Sequence, residues 1–283
     1  MSSLHVPVMP SPEYRRQLIE KALPGNAAWL VESMDHLFQM LLTSDMLLHP
    51  EIGNPIEHHI IVLKHLVAIV EEKPYDYCRE ALLMAGCLAL LHDICPTPKI
   101  PREVIDAATD EENRKKLAAQ RIANRRTHMH EGARIARDIL EEMCAQEESP
   151  FDELLSHQAI NDICRAISIH DNPTIGIPLP NDFTLAHELR ESDRLWMVTN
   201  LGIRVDLSRR SVDPDDPDAF IEQAQRNIGK FMGERQIYQD MEQHEFRDPY
   251  TFFHTKAGHE LYCRYCADIL QYGALQHDYV RND

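Results

Sequence analysis

Ala85-Gly-Cys-Leu-Ala-Leu-Leu-His-Asp93 decides how this chain is read. Seven apolar or small residues end on an imidazole and a carboxylate, where a buried helix should stop. A neutral imidazole offers a nitrogen donor, and a carboxylate offers an anionic oxygen that can bridge two cations. Left unpaired among leucines, such groups would cost several kcal/mol. His92 and Asp93 therefore need partners, and the rest of the sequence is searched for them.

Outward from this run the pattern is helical almost throughout. Apolar positions recur at three- and four-residue spacing near 12–23, 27–47, 55–72, 77–92, 111–144, 152–170, 184–208, 216–242 and 255–273. No strand-like alternation bounded by turns is found, so the fold class expected is all-α. Ser11-Pro12, Asp110 and Asp216-Pro217 read as helix starts. Breaks are expected at Pro24-Gly25, Gly53-Asn-Pro55 and Lys73-Pro74, and in two proline-rich loops, 95–101 and 171–180. One of these loops follows His92-Asp93 and the other follows His170, where substrate contacts are common.

Composition removes several classes of function. A formal charge of −17 over 283 residues disfavours nucleic-acid polymers and anionic membranes as partners. A local basic patch, Arg121-Ile-Ala-Asn-Arg-Arg126, could still attract a phosphate. None of the 10 glycines builds a phosphate-cradling loop, which argues against nucleotide folds of the Rossmann or P-loop type. No apolar run is long enough to span a membrane and no signal peptide is visible. Seven cysteines, mostly inside helical patterns, read as reduced thiols in a cytoplasm. The 16 histidines are many for this length and mark where chemistry should lie.

A metal site in a helix bundle draws its ligands from several helices facing inward. From His58, steps of 4, 5, 8, 9 and 12 meet Val62, Leu63, Leu66, Val67 and Val70, so His58 points at the core. The same steps from His59 meet Lys64 and Glu71. His59 and His65 stay open as alternatives for the first ligand. His128 precedes Gly132 and Ala133, small residues that would let its helix approach a neighbour. His170 shares a face with Ile163, Ala166 and Ile167. Asp193 lies among Leu189, Trp196 and Met197, a setting that calls for a cation or an arginine.

Taken in order, His58, His92-Asp93, His128, His170 and Asp193 resemble the HD superfamily of metal-dependent phosphohydrolases across roughly residues 54–200. Leu90-Leu-His-Asp-Ile94 is similar to the family signature, and His128-x-x-x-Gly-Ala-x-Ile-Ala to its third-ligand helix. The resemblance implies an HD-type helical domain over 54–209, with an N-terminal helical arm over 1–53 and a C-terminal helical extension over 210–283. Because His128 and His170 are both present, it further implies the dinuclear branch, with Asp93 bridging two divalent or redox-active metals. Iron or manganese is expected, and zinc, cobalt and nickel suit the same donors. Where many members carry a glycine and a lysine after the signature, this chain has Cys95 and Pro96. Lys99 is the nearest lysine able to serve the reaction.

The function that follows by resemblance is hydrolysis of a phosphomonoester or phosphodiester, nucleotides included, by a metal-bridging hydroxide. Arg126 and Arg194 would bind remaining phosphate oxygens. A small phosphate ester is the expected partner, with a second copy of the chain as an option. Two other readings use the same residues. One is a mixed-valent di-iron oxygenase similar to myo-inositol oxygenase, and the other is a degenerate HD module that signals or binds a partner. Separately, His259, Cys263 and Cys266 share a helix face. Without a second cysteine pair nearby, they read as buried packing residues rather than a zinc site.

Overall fold

The computed structural model describes residues 11–23, 25–27, 29–43, 56–72, 79–146, 149–238 and 253–280. They form twelve helices, with no strand among the described residues: α1 (Pro12–Ala22), α2 (Leu30–Thr43), α3 (Ile56–Glu71), α4 (Arg79–Leu91), α5 (Arg102–Asp106), α6 (Glu111–Cys144), α7 (Pro150–Leu154), α8 (His157–Ile169), α9 (Thr184–Trp196), α10 (Asn200–Arg209), α11 (Pro217–Gln236) and α12 (Lys256–Val280). The protein is all-α, as its periodicity implies. The breaks expected at Gly53-Asn-Pro55 and Lys73-Pro74 lie outside the described residues. So do 44–47 and 239–242, the ends of two expected helices, and the boundary expected at 53.

Helices α3 and α4 are buried nearly all round, which places them at the centre of the bundle. They pack on one another. α9 lies against α3, and α8 lies against α4, α6 and α9. α1 and α2 close one side, joined by the ion pair of the buried Arg15 with Asp35. α6 differs in kind. Its buried positions Asn124, His128, Gly132 and Ala136 recur every four residues, so one stripe meets the core. Gly132 on that stripe faces Ile167 and Cys95. A Cβ there would stand 3.6 Å and 3.7 Å from them, so the approach is close but would admit alanine.

Two expected helices are each divided by a cap. The segment 184–208 turns at Met197–Thr199. There Thr199 Oγ1 donates to the Trp196 carbonyl and accepts from the Gly202 N–H, starting α10. A Cβ on Gly202 would lie 2.0 Å from the Trp196 oxygen, so glycine is needed for the two helices to abut. The segment 152–170 is divided in the same way by Ser156, whose hydroxyl accepts from the Ala159 N–H. The starts expected at Ser11, Asp110 and Asp216 are all side-chain caps.

Beyond α9 a second apolar cluster forms around Leu195, Ile203, Phe220, Phe231 and Phe253, drawing in α10, α11 and α12. Polar ties fasten it to the central helices. The buried Glu191 carboxyl accepts from the His254 and Thr255 N–H groups and from the Thr255 hydroxyl. Burial pushes its pKa up to about 8 against those hydrogen bonds. His65 on α3 donates from Nδ1 to the Ser192 carbonyl at 3.0 Å. Its Nε2 accepts from the Tyr265 hydroxyl at 2.9 Å. One imidazole thus links α3, α9 and α12, which is a structural role.

Burial holds the pKa of His65 down at about 4, from an ordinary 6.5. In the unfolded chain the ring takes a proton near its ordinary pKa, so between these values the unfolded state binds more protons. Stability carried by neutral His65 is complete above pH 6.5 and is lost as pH falls towards about 4. The expected loss is on the order of 3 kcal/mol. Urea unfolding across that window should show it, and a His65→Asn variant should have a correspondingly flatter profile.

Candidate metal centre

Five helices deliver six side chains to one point. His58 lies in the first turn of α3, His92 and Asp93 just after α4, and His128 in the middle of α6. His170 caps the end of α8, and Asp193 lies in the last turn of α9. All four histidines are buried, with exposure of 2% or less. His58 Nε2 stands 3.0 Å from His92 Nε2. Asp93 Oδ2 is 3.6 Å from the former and 3.7 Å from the latter. Asp193 Oδ1 approaches the same pair at 3.6 Å and 3.8 Å. The other oxygen of Asp93, Oδ1, faces His128 Nε2 at 3.3 Å and His170 Nε2 at 3.7 Å.

The rings are oriented by the main chain. The carbonyls of Ala89, Cys95 and Ile167 accept from Nδ1 of His92, His128 and His170 respectively. A carbonyl can only accept, so each neutral ring carries its hydrogen on Nδ1 and turns a bare Nε2 lone pair inward. Trp196 supports the His58 ring edge-on, with centroids 5.2 Å apart. His59 lies beside the centre, its ring centroid 5.3 Å from that of His58 and 5.4 Å from that of His92. Its Nδ1 meets the Ala89 carbonyl at 3.1 Å, and burial, with His58 and His92 beside it, holds its pKa down at about 3. Of the three histidines open as first ligand, His58 is the one at the site.

Electrostatics point the same way. Burial alone would raise the pKa of Asp93. A positive charge or an N–H on the imidazoles of His92, His128, His170 and His58 outweighs it and holds the carboxylate well below its ordinary value. Burial lowers the pKa of His92. For His170 the pull of burial is overcome by Asp171 and Asp93, and its pKa rises.

A metal ion suits these donors. Two sets, His58 with His92 and Asp93, and Asp93 with His128 and His170, each bring their ligand atoms within 4.8 Å of one another. His58 Nε2 stands at 3.0 Å from the lone pair of His92 Nε2, the buried His58 Nδ1 has no hydrogen-bond partner, and neither has the buried His128 Nε2. A cation would satisfy these groups together.

A charged layer behind the site has a weaker trace in the sequence. Arg190, fully buried one turn before Asp193, holds Asp193 Oδ2 at 3.6 Å and is paired with Asp171. It grips Glu234 of α11 with two bonds, of 3.0 Å and 2.6 Å. Asp171 also pairs with Arg125 of α6. Burial works against ionisation of Asp171, but His170, Arg190 and Arg125 keep its pKa far below the usual range. The signal available in the sequence was a cation three residues before Asp193 on a helix face otherwise apolar.

The other site residues expected from sequence are placed as follows. Arg194 pairs with Glu234, and its guanidinium reaches Thr174 Oγ1 at 3.1 Å. Arg126 is exposed, while its neighbour Arg125 faces the site. Lys99 is exposed in the loop after Asp93 and makes no ion pair among the described residues. His259 Nε2 comes within 3.5 Å of Cys263 Sγ on α12. Cys263 is exposed and Cys266 half-buried, which corrects the expectation of buried packing. No family model, curated protein or solved structure matches the chain.

Two outcomes test this construction. Arg190→Gln leaves buried carboxylates without their cation and should cost about 3–5 kcal/mol in chemical unfolding. Manganese or zinc should raise the thermal midpoint, with a gain of about 2.7 kcal/mol when the free ion is at 100 times its dissociation constant. A variant carrying both His92→Ala and Asp93→Ala should lose that shift.

Proposed function

We propose that this chain is a metal-dependent phosphohydrolase with a dinuclear centre, of the kind found in the HD superfamily, acting on a phosphomonoester or phosphodiester. The observation that carries this reading is the division of Asp93. Its two carboxylate oxygens face different histidine pairs, as a bridging ligand requires. His58, His92 and Asp193 would complete one coordination sphere, and His128 and His170 the other. This nitrogen and oxygen donor set suits iron or manganese and also accepts zinc, cobalt or nickel.

When bound, two adjacent cations lower the pKa of a shared water and neutralise the oxygens of a transferring phosphoryl group. The chain's own contribution is positioning. The carbonyls of Ala89, Cys95 and Ile167 fix the ring planes of His92, His128 and His170. Arg190 occupies the second oxygen of Asp193 and leaves the first turned to His58 and His92. Trp196 and the buried faces of α3 and α4 exclude bulk water from that side, which strengthens the electrostatics within.

Metal analysis of protein purified without oxygen, followed by assays with p-nitrophenyl phosphate and bis-p-nitrophenyl phosphate, tests the reading. Two metals per chain and phosphate-ester cleavage are expected. Activity should fall at least about 100-fold on His92→Ala with Asp93→Ala. His128→Ala with His170→Ala should leave one metal per chain. Oxygen uptake without phosphate release would replace the hydrolase by an oxygenase, and full activity of the His92/Asp93 double variant would overturn the site itself.

A further inference from the structure

A cleft of about 520 Å³ opens between the loop after Asp93, the N-terminal half of α6 and the turn after His170. Each wall continues directly from a residue of the metal centre. Thr97 and Pro98 follow Asp93 by one short turn of chain. Asn124 and Arg125 precede His128 by one turn of α6, and Thr174 and Ile175 follow His170. The walls are tied together. Asn124 Nδ2 donates to the Pro98 carbonyl at 2.8 Å, and Arg125 pairs with Asp171 beside His170.

The lining is chemically one-sided. Two arginines, Arg121 and Arg125, contribute to it, and no carboxylate does. In a chain of net charge −17 this is a local reversal of sign, and a concave cationic surface concentrates anions. The arginines are not equivalent, because Arg125 is held by Asp171 whereas Arg121 is exposed and makes no ion pair among the described residues. The rest of the lining is largely apolar and includes Ile100, Ile122 and Ile175. Arg121 and His128 lie seven residues apart on one face of α6, a separation of roughly 10 Å along the helix axis.

We infer that this cleft seats the far end of the substrate and selects phosphate esters carrying a second oxyanion, a phosphate or carboxylate, roughly 10 Å from the reacting phosphorus. Arg121 grips that distal group through its guanidinium fork. The isoleucines cover the connecting chain. The inference rests on the phosphohydrolase reading for the near end of the substrate, while the preference for a distal oxyanion belongs to the cleft alone.

Three ligands of one chain length test it: hexyl phosphate, hexane-1,6-diol bisphosphate and 6-(phosphonooxy)hexanoate. Binding is measured by calorimetry on the full chain, with and without manganese, and phosphate release is followed in parallel. One or both doubly anionic ligands should bind about tenfold tighter than hexyl phosphate, and which of them does so names the distal group. Arg121→Ala should abolish the preference. Arg114→Ala, an exposed position on the same helix seven residues before Arg121 and outside the lining, should retain it. Equal affinities in the wild type, no binding of any of the three, or a preference that survives Arg121→Ala would overturn the inference. A preference for the doubly anionic ligands without phosphate release would support the cleft and overturn the hydrolase. Phosphate release without the preference would do the reverse.

Discussion

One half-buried carboxylate organises this protein. Asp93 lies among four imidazoles, two facing each of its oxygens, and it follows directly from the end of a helix that is buried nearly all round. A charge in that position is tolerable only if its surroundings are polar, close and oriented. The bundle meets this demand with five converging helices, three of whose ligand rings are locked by main-chain carbonyls. α3, α4, α6, α8 and α9 are thus bound by a shared polar centre as well as by their apolar faces.

That centre extends outward through charge. Arg190 is the connecting piece, since it contacts Asp193 on its own helix, Asp171 beside His170, and Glu234 on α11. Through it the C-terminal helices bear on the geometry of the centre, although they contribute none of the six side chains. His65 and Glu191 add ties from α3 and α9 to α12 and the residues just before it. The same few residues therefore serve stability and site geometry together. A change at Arg190 should be felt in both.

Most of the helical pattern was legible in the sequence, because burial of one face imposes a period that the apolar residues must follow. The long α6 was legible to its end residues. What periodicity could not reveal was the pair of interruptions at Ser156 and Thr199. A cap changes the direction of the chain without disturbing the spacing of apolar residues, so the segments 152–170 and 184–208 read as continuous. At the site, the core-facing steps from His58 set it apart from His59 and His65, yet all three are fully buried. What distinguishes them is their partners, since His59 and His65 turn Nδ1 to the carbonyls of Ala89 and Ser192 while His58 Nε2 meets His92. The helical rotation of about 100 degrees per residue separated Arg125 from Arg126. With no apolar contrast around that pair, the sequence offered no means of telling which arginine faces inward.

By itself the sequence determined the helical class, the helix that ends at the His92-Asp93 pair and the histidines that gather around Asp93. These properties follow from local spacing and from the chemistry of single side chains. Only the tertiary structure decided how those residues are apportioned: which oxygen of Asp93 faces which histidines, which cation holds Asp193, and where a cationic cleft opens beside the centre. The physical reason is that these are relations among five or more chain segments remote in sequence. Such relations are set by how the buried faces of helices pack and by where buried charges find their partners, and no local period records either.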